Sequence, residues 1–443
     1  MRSPVNGDKL RVFRGWRVVA GSGIGIAFGS VVFAGGGFAQ LANAWGHEFG
    51  WTQPQLAKAA TIYLLLQTAT FPVFGWLLDR WGSRKVASAS IVLFAVALVA
   101  LSHIGDSLNQ LYAAFALIGL VSGGTNVVSY ARALSLWFDR KRGLALGLAA
   151  GSQAIGAVLL PILGAKIIAT AGWSTALLSL AAFELVVCLP LVALLVRDSP
   201  APYGLLPDGA ASAGQAASAE ALVIGLSRGA VLRSPTFWKL ALAFAVMGLT
   251  SYAISINIVF ILSKTAGLAP AEIAKFQAIA GAAVLIGRIG FGWLLDRLHA
   301  PLVGMLTVAM GALGIALYAA TTAPTLILVG ALLGGAAIGG EADLMPYLAS
   351  RDFGTRPLSS VFGGLVTAFF VGAAIGPIAF ATIASAQNSV VLPLYLLIAL
   401  HIIPLLAFVT LGRYPSSWPH HLEWPAPPRL ARGNTSTASG GLK

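Results

Sequence analysis

A chain of 443 residues that is 57% hydrophobic and only 10% charged lies far from a soluble domain, in which about a quarter of residues are charged. Its 28 Lys and Arg against 15 Asp and Glu give a net charge of +13, which invites a polyanionic partner until those charges are placed along the chain. The single cysteine, Cys188, falls within an apolar span and excludes an intramolecular disulfide.

Runs of about 20 apolar residues, enough to cross about 30 Å of hydrocarbon, predict twelve transmembrane helices. The first, 16–40, is too long and glycine-rich for a signal-peptide core, and no cleavage-like pattern follows Met1 to Arg14, so it reads as a retained helix. Five more follow at 55–78, 86–105, 110–136, 143–170 and 173–196. Between Arg197 and Thr236 the pattern breaks into Pro, Gly, Ala and Ser, the signature of a flexible cytoplasmic linker. The second set is predicted at 236–262, 272–295, 300–320, 324–349, 358–384 and 389–412. The remainder, with Pro415, Pro419, Pro425, Pro427 and Pro428, lacks helical periodicity and reads as a disordered cytoplasmic tail. The expected organisation is therefore a six-helix bundle over 1–197, a linker over 198–235, a second bundle over 236–412 and a tail over 413–443.

With the amino terminus placed inside, 22 of the 28 Lys and Arg fall on the cytoplasmic side. Lys58, Lys166, Lys264 and Lys275 lie near the outer ends, and only Arg132 and Arg288 remain within helices. The positive-inside rule thus accounts for the charge without nucleic acid. It predicts a multi-pass protein of the cell (inner) membrane with both termini cytoplasmic, read here as a monomer.

The heptapeptide Phe74-Gly75-Trp76-Leu77-Leu78-Asp79-Arg80 recurs as Phe291-Gly292-Trp293-Leu294-Leu295-Asp296-Arg297, 217 positions later, each copy closing an apolar stretch. Gly147, Gly156 and Pro161 of the fifth helix recur as Gly363, Gly372 and Pro377 of the eleventh, offset by 216. Two independent signals agree on an internal duplication, as in secondary transporters built from repeats. The glycines let helix backbones approach, and the prolines bend their helices.

On these residues the chain resembles the major facilitator superfamily of secondary transporters. The loop Gly75-Trp76-Leu77-Leu78-Asp79-Arg80-Trp81-Gly82-Ser83-Arg84-Lys85 is similar to the superfamily's signature loop, and the second copy is degenerate after Arg297. The resemblance implies an all-α membrane fold of twelve helices in two pseudo-symmetric six-helix bundles. It also implies gating contacts at the cytoplasmic end from Gly75, Asp79, Arg80, Gly82, Arg84 and Lys85, with Gly292, Asp296 and Arg297 in the second copy and Arg132 completing them. Asp79 in particular is expected near the amino end of a neighbouring helix, where it meets that helix's positive dipole. Within the superfamily, the stretch from Trp137 to Ser152, with Asp139-Arg140-Lys141-Arg142-Gly143, is similar to the monocarboxylate and oxalate/formate transporters. Gly15-Trp16-Arg17-Val18-Val19 is loosely similar as well.

An ionised group near the bilayer centre costs at least about 3 kcal/mol, so each one calls for a reason. From the cytoplasmic boundary, at about 1.5 Å per residue, Arg288 lies about 12 Å deep, Glu341 about 16 Å and Asp343 about 13 Å. Glu341 and Asp343 are about 200° apart around their helix and point to different faces. Glu341 is favoured narrowly for the cavity, and Pro346 is expected to kink the helix near both. Arg288 has Phe71 as its counterpart in the duplication, so the shared scaffold does not require it. Its planar guanidinium suits a carboxylate, and it resembles the substrate-binding Arg of the monocarboxylate and oxalate transporters. The alternative is a structural ion pair with either acid. Arg132 is weighed as a gate contact, and Glu184 as a buried group without a partner.

Tyr63, Gln67, Asn126, Tyr130, Gln153, Tyr252, Asn257 and Gln277 fall inside helices that would surround the cavity, although such groups also serve as interhelical glue. No nucleotide loop, metal-ligand cluster or nucleophile–base arrangement is present. The chain therefore reads as neither enzyme nor primary pump, and no cofactor is expected. The expected function is alternating-access transport of a small organic anion, a monocarboxylate, docked on Arg288. Protons are the coupling ion, through Glu341 or Asp343. The rivals are a proton-coupled exporter of cationic or amphipathic drugs, in which those acids become cation sites, and a non-transporting membrane sensor.

Overall fold

Within hydrocarbon every backbone N–H and C=O must be paired inside the segment itself, so a chain this apolar folds as helices. The computed structural model describes residues 13–209, 225–412 and 414, and among them every extended element is helical. Most of the linker sequence from Gly209 onward and almost all of the tail, including its prolines, lie outside the described residues.

Eleven helical stretches are long and apolar enough to span a membrane. One of them, Arg142–Leu195, has 54 residues and turns back at Gly172, where φ is +83°, so it supplies two crossings and the described chain makes twelve. We number them α1 (15–49), α2 (Gln53–Trp81), α3 (Ser83–Ser102), α4 (Leu108–Trp137), α5 (142–171), α6 (173–195), α7 (Pro235–Ala266), α8 (Pro270–Leu295), α9 (Ala300–Ala320), α10 (Pro324–Asp352), α11 (Leu358–Gln387) and α12 (Val391–Val409).

The ends of these helices follow from local chemistry. Thr52 and Gln55 form a capping box at the start of α2. Pro235 and Pro324 open α7 and α10, where a missing N–H removes no bond. Between α2 and α3, Gly82 adopts φ +83°, a conformation that a side chain disfavours.

Three helices depart from the predicted pattern. The first runs past residue 40 to Phe49, interrupted at Phe28 and Gly29 and by a π-helical turn at Phe33–Gly37. In α4 a 3₁₀ turn, Ser122–Thr125, leads to an extended Asn126, whose side chain accepts the N–H of Val127 at 2.5 Å. A hydropathy window registers none of these breaks, because polar residues such as Ser122, Thr125 and Asn126 are too few to interrupt an apolar span. Finally, α10 continues as helix through Pro346 to Asp352.

The two pseudo-symmetric bundles, α1–α6 and α7–α12, meet through α2 against α11 and α5 against α8. At the end carrying Asp79 and Asp296, here the charged end, one continuous core draws on both bundles, from Val18 and Phe71 to Phe291 and Phe362. At the opposite end two separate cores form. One surrounds Trp45, Trp51 and Trp173 entirely within the first bundle; the other surrounds Ile273, Tyr318 and Phe380 entirely within the second. The bundles thus share buried apolar surface at one end only.

Candidate functional site

The charged end is closed by two joints that are copies of one another. The Asp79 carboxylate accepts the backbone N–H groups of Ser359 and Ser360, both at 3.0 Å, and the Ser360 hydroxyl at 2.6 Å. The Asp296 carboxylate accepts the N–H groups of Gly143 at 2.6 Å and Leu144 at 2.9 Å. Each aspartate therefore sits on the first turn of a helix in the opposite bundle, α11 or α5, where unpaired N–H groups and the helix dipole favour an anion. Subtracting the repeat offset carries Asp296 onto Asp79 and Ser359 onto Gly143. The close approach beneath is also duplicated: a Cβ on Gly147 would meet the Arg288 carbonyl at 2.5 Å, and one on Gly363 the Phe71 carbonyl at 2.6 Å. Burial raises the Asp296 carboxyl above the usual range, and the Leu144 and Gly143 N–H groups oppose that shift.

The joints differ in their charged surroundings. Asp79 has Arg132 at 3.8 Å and Arg228 at 3.7 Å, whereas Arg80 lies over the Trp76 ring at 5.5 Å and Arg297 over Trp293 at 3.9 Å. Arg84 and Lys85 are exposed at the start of α3, where the Arg84 N–H donates to Asp198 at 3.1 Å. Arg228 comes from the short helix Arg228–Arg233 preceding α7, a contact that the loop motif gives no means of anticipating. A further bridge joins the bundles: Arg351 donates to Asp139 at 2.9 Å, and Arg142, itself bonded to Asp139, donates to Ser350 at 2.9 Å.

Deeper between the bundles, Arg288 reaches across from α8. Its Nη2 donates to Gln153 Oε1 of α5 at 3.4 Å, and its Nη1 stands 3.7 Å from Asp343 Oδ1. That separation is an ion pair without a hydrogen bond, and Nη1 and Asp343 Oδ2 are both buried without a hydrogen-bond partner. Glu341 points elsewhere. Both its carboxylate oxygens lie 3.0 Å from the Ser251 hydroxyl of α7, so the two acids occupy different faces of α10 and Asp343 is the partner of Arg288. Helix rotation separates these acids, which the sequence-based preference for Glu341 could not resolve.

Of the polar candidates, Tyr252 stands within electrostatic reach of Arg288 and Glu341. Tyr63 accepts from Gln67 Nε2 at 2.6 Å, and both are buried. Asn257 donates to the Ala253 and Pro377 carbonyls, and Asn126 is engaged as a cap. Tyr130 is buried against Gly25 with its hydroxyl unpartnered, away from Arg288 and beside Glu184. Gln277 is exposed and lines a cavity inside the second bundle together with Glu341. Between the Asp79 and Asp296 joints and the separated cores, the bundles are further linked by Thr367, whose hydroxyl donates to the Thr68 carbonyl, and by Arg288 donating to Gln153. No group of His, Cys, Asp and Glu suited to a metal occurs among the described residues.

The sequence profile of the Major Facilitator Superfamily matches residues 18–377. The chain is 28% identical over 374 residues to human monocarboxylate transporter 11, covering 80% of this chain and 72% of that one. It is 25% identical over 327 residues to the MFS transporter asaE of Aspergillus flavus, covering 71% and 69%. Among solved structures, a bacterial homologue of the iron transporter ferroportin in an outward-facing state superposes with a TM-score of 0.66 at 16% identity, covering 89% of this chain and 98% of that one.

Proposed function

The chain belongs to the Major Facilitator Superfamily, a family of membrane transporters, and from that premise we propose that it carries a small monocarboxylate by proton-coupled alternating access. The observation that carries this reading is Arg288. Its guanidinium sits where the two bundles meet, is held by Gln153 of the opposite bundle, and keeps Nη1 free of hydrogen bonds only 3.7 Å from Asp343. A buried cation with a spare donor is an unfinished site, because each missing hydrogen bond to a charged group forfeits about 1.5–3 kcal/mol. A carboxylate docked on that fork supplies the missing acceptor. It also competes with Asp343 for the positive charge, and an acid that loses its counterion in a buried place binds a proton more readily. Anion and proton are thereby linked, each favouring the other's binding. The identity to a monocarboxylate transporter supports this choice of solute.

The same premise gives the joints their role. With the basic residues placed inside, the charged end faces the cytoplasm and the separated cores face outward, so this is the outward-open state. Asp79 and Asp296, with Gly75, Gly292 and Arg132, hold the inner gate, and the linker's Arg228 reinforces the Asp79 side. Opening inward must break both aspartate joints together, since each fastens one bundle to a helix start of the other. Proteoliposome uptake of labelled pyruvate, lactate and formate under an inward proton gradient tests the reading. Wild type accumulates one of them and Arg288→Ala does not; accumulation by the variant at the wild-type rate removes Arg288 from the site.

A further inference from the structure

Glu341 has no part in the ion pair just described, yet it is only 4% exposed, and among the described residues no Lys, Arg or His forms a salt bridge with it. An unpaired carboxylate so placed is costly. The same side chain lines a cavity of about 250 Å³ between α7, α8, α9, α10 and α12 of the second bundle, far above the roughly 10–15 Å³ that one water requires. Polar groups mark it along its length: exposed Gln277, then Ser255, Ser251 and Tyr318, with His401 on the α12 side. The His401 Nδ1 is engaged by the Leu397 carbonyl, and its other ring nitrogen faces Gly311, which also lines the cavity. Arg288 and Asp343 do not line it.

We propose that Glu341 is a proton-binding site served by a water-filled passage inside the C-terminal bundle, separate from the anion site at Arg288 and Asp343. The titratable and charged groups around it are Tyr252 from α7, which also lies within electrostatic reach of Arg288 from α8, Tyr318 from α9 and His401 from α12, with Asp343 on the opposite face of its own helix. None of them is placed as a counterion, so the carboxyl gains its proton from water in the passage and hands it back there. Ser251 bridges both oxygens and holds the group in place in either state. The use of that proton in transport rests on the reading above; its binding at Glu341 does not.

Infrared difference spectroscopy of the purified, lipid-reconstituted protein tests this without any substrate. On a step from alkaline to acid pH, the wild-type minus Glu341→Gln double difference isolates one buried protonated-carboxyl stretch, whatever Asp343 contributes to both spectra, and the same double difference taken in an Arg288→Ala background retains it. Gly281 and Gly334 line the passage, and a Cβ at either meets no atom within 4 Å, so Gly281→Leu and Gly334→Leu fill it without forcing the helices apart. Each slows deuterium exchange of that band by about tenfold or more, as expected when water loses direct access. A double difference without that band overturns the proposal, and so does unchanged exchange in both leucine variants. Loss of pyruvate uptake in Arg288→Ala with these spectra unaltered would support the anion reading separately.

Discussion

At the depth where Arg288, Asp343 and Glu341 lie in the C-terminal bundle, the N-terminal bundle carries Phe71, Val127 and Thr125 at the corresponding repeat positions. Phe71 is fully buried and stacks on Phe370 of the opposite bundle at 5.8 Å, and Thr125 donates to the Ser30 hydroxyl at 2.9 Å. Those are neutral, satisfied contacts. Their counterparts are an ion pair without a hydrogen bond and a carboxylate held by one serine. One level nearer the charged end, by contrast, the bundles are alike in their backbone contacts: Asp79 and Asp296 each take two N–H groups from the start of repeat-equivalent helices. The duplicated joint is therefore what the fold needs in order to close. The charges above it occur in one copy only, so the shared scaffold does not require them in order to close.

Making the halves alike at this depth gives the largest effect. Arg288→Phe, which copies Phe71, should abolish monocarboxylate uptake, a loss of at least about tenfold per charged hydrogen bond forgone, measured as initial rate in proteoliposomes at matched protein content. Next comes Asp343→Val, the counterpart of Val127. It leaves a buried arginine without its ion-pair partner and should lower unfolding stability by about 3–5 kcal/mol. The double variant Arg288→Phe with Asp343→Val should recover most of that loss while remaining inactive, and a double-mutant cycle by thermal unfolding reads the coupling. If the double variant is as unstable as Asp343→Val alone, the pair is not the reason for either effect.

Smaller changes test the shared joints. Asp79→Asn should open the charged end more than Asp296→Asn, because only Asp79 has arginines within 4 Å on two sides. The expected shift is about 1–2 kcal/mol, the scale of a helix cap. Spin labels at Lys85→Cys and Leu298→Cys, in a Cys188→Ser background, report the separation of the bundles there; equal opening in the two variants would show that the arginines contribute nothing. The smallest effect belongs to Arg228→Ala. Its side chain is 42% exposed and 3.7 Å from Asp79, so the same labels should register a shift of no more than about 1 kcal/mol, diminished further by salt.

Periodicity and repetition made the helices and the two aspartates legible in the sequence, because a membrane span and a duplicated heptapeptide are both one-dimensional signals. The backbone donors to those aspartates were within reach too. The offset that pairs Gly147 with Gly363 also pairs Gly143 and Leu144 with Ser359 and Ser360, the residues that receive Asp296 and Asp79. What the sequence withheld depends on rotation and on contacts remote along the chain. Asp343 rather than Glu341 meets Arg288 because of how α10 is turned against α8, and Ser251 reaches Glu341 from 90 positions away. Breaks such as those at Phe28, Gly29 and Asn126 are too short to interrupt a span-length apolar window and so pass unseen in it.

The most direct test of Arg288 as the anion site is thermal stabilisation of the purified protein by a panel of mono- and dicarboxylates, lipophilic cations and neutral solutes, with Arg288→Ala in parallel. A monocarboxylate at a hundred times its dissociation constant should stabilise wild type by about 2.7 kcal/mol and leave the variant unmoved. Stabilisation by lipophilic cations, undiminished in the variant and unmatched by any carboxylate, would contradict the account and make cation export through the buried acids the leading reading.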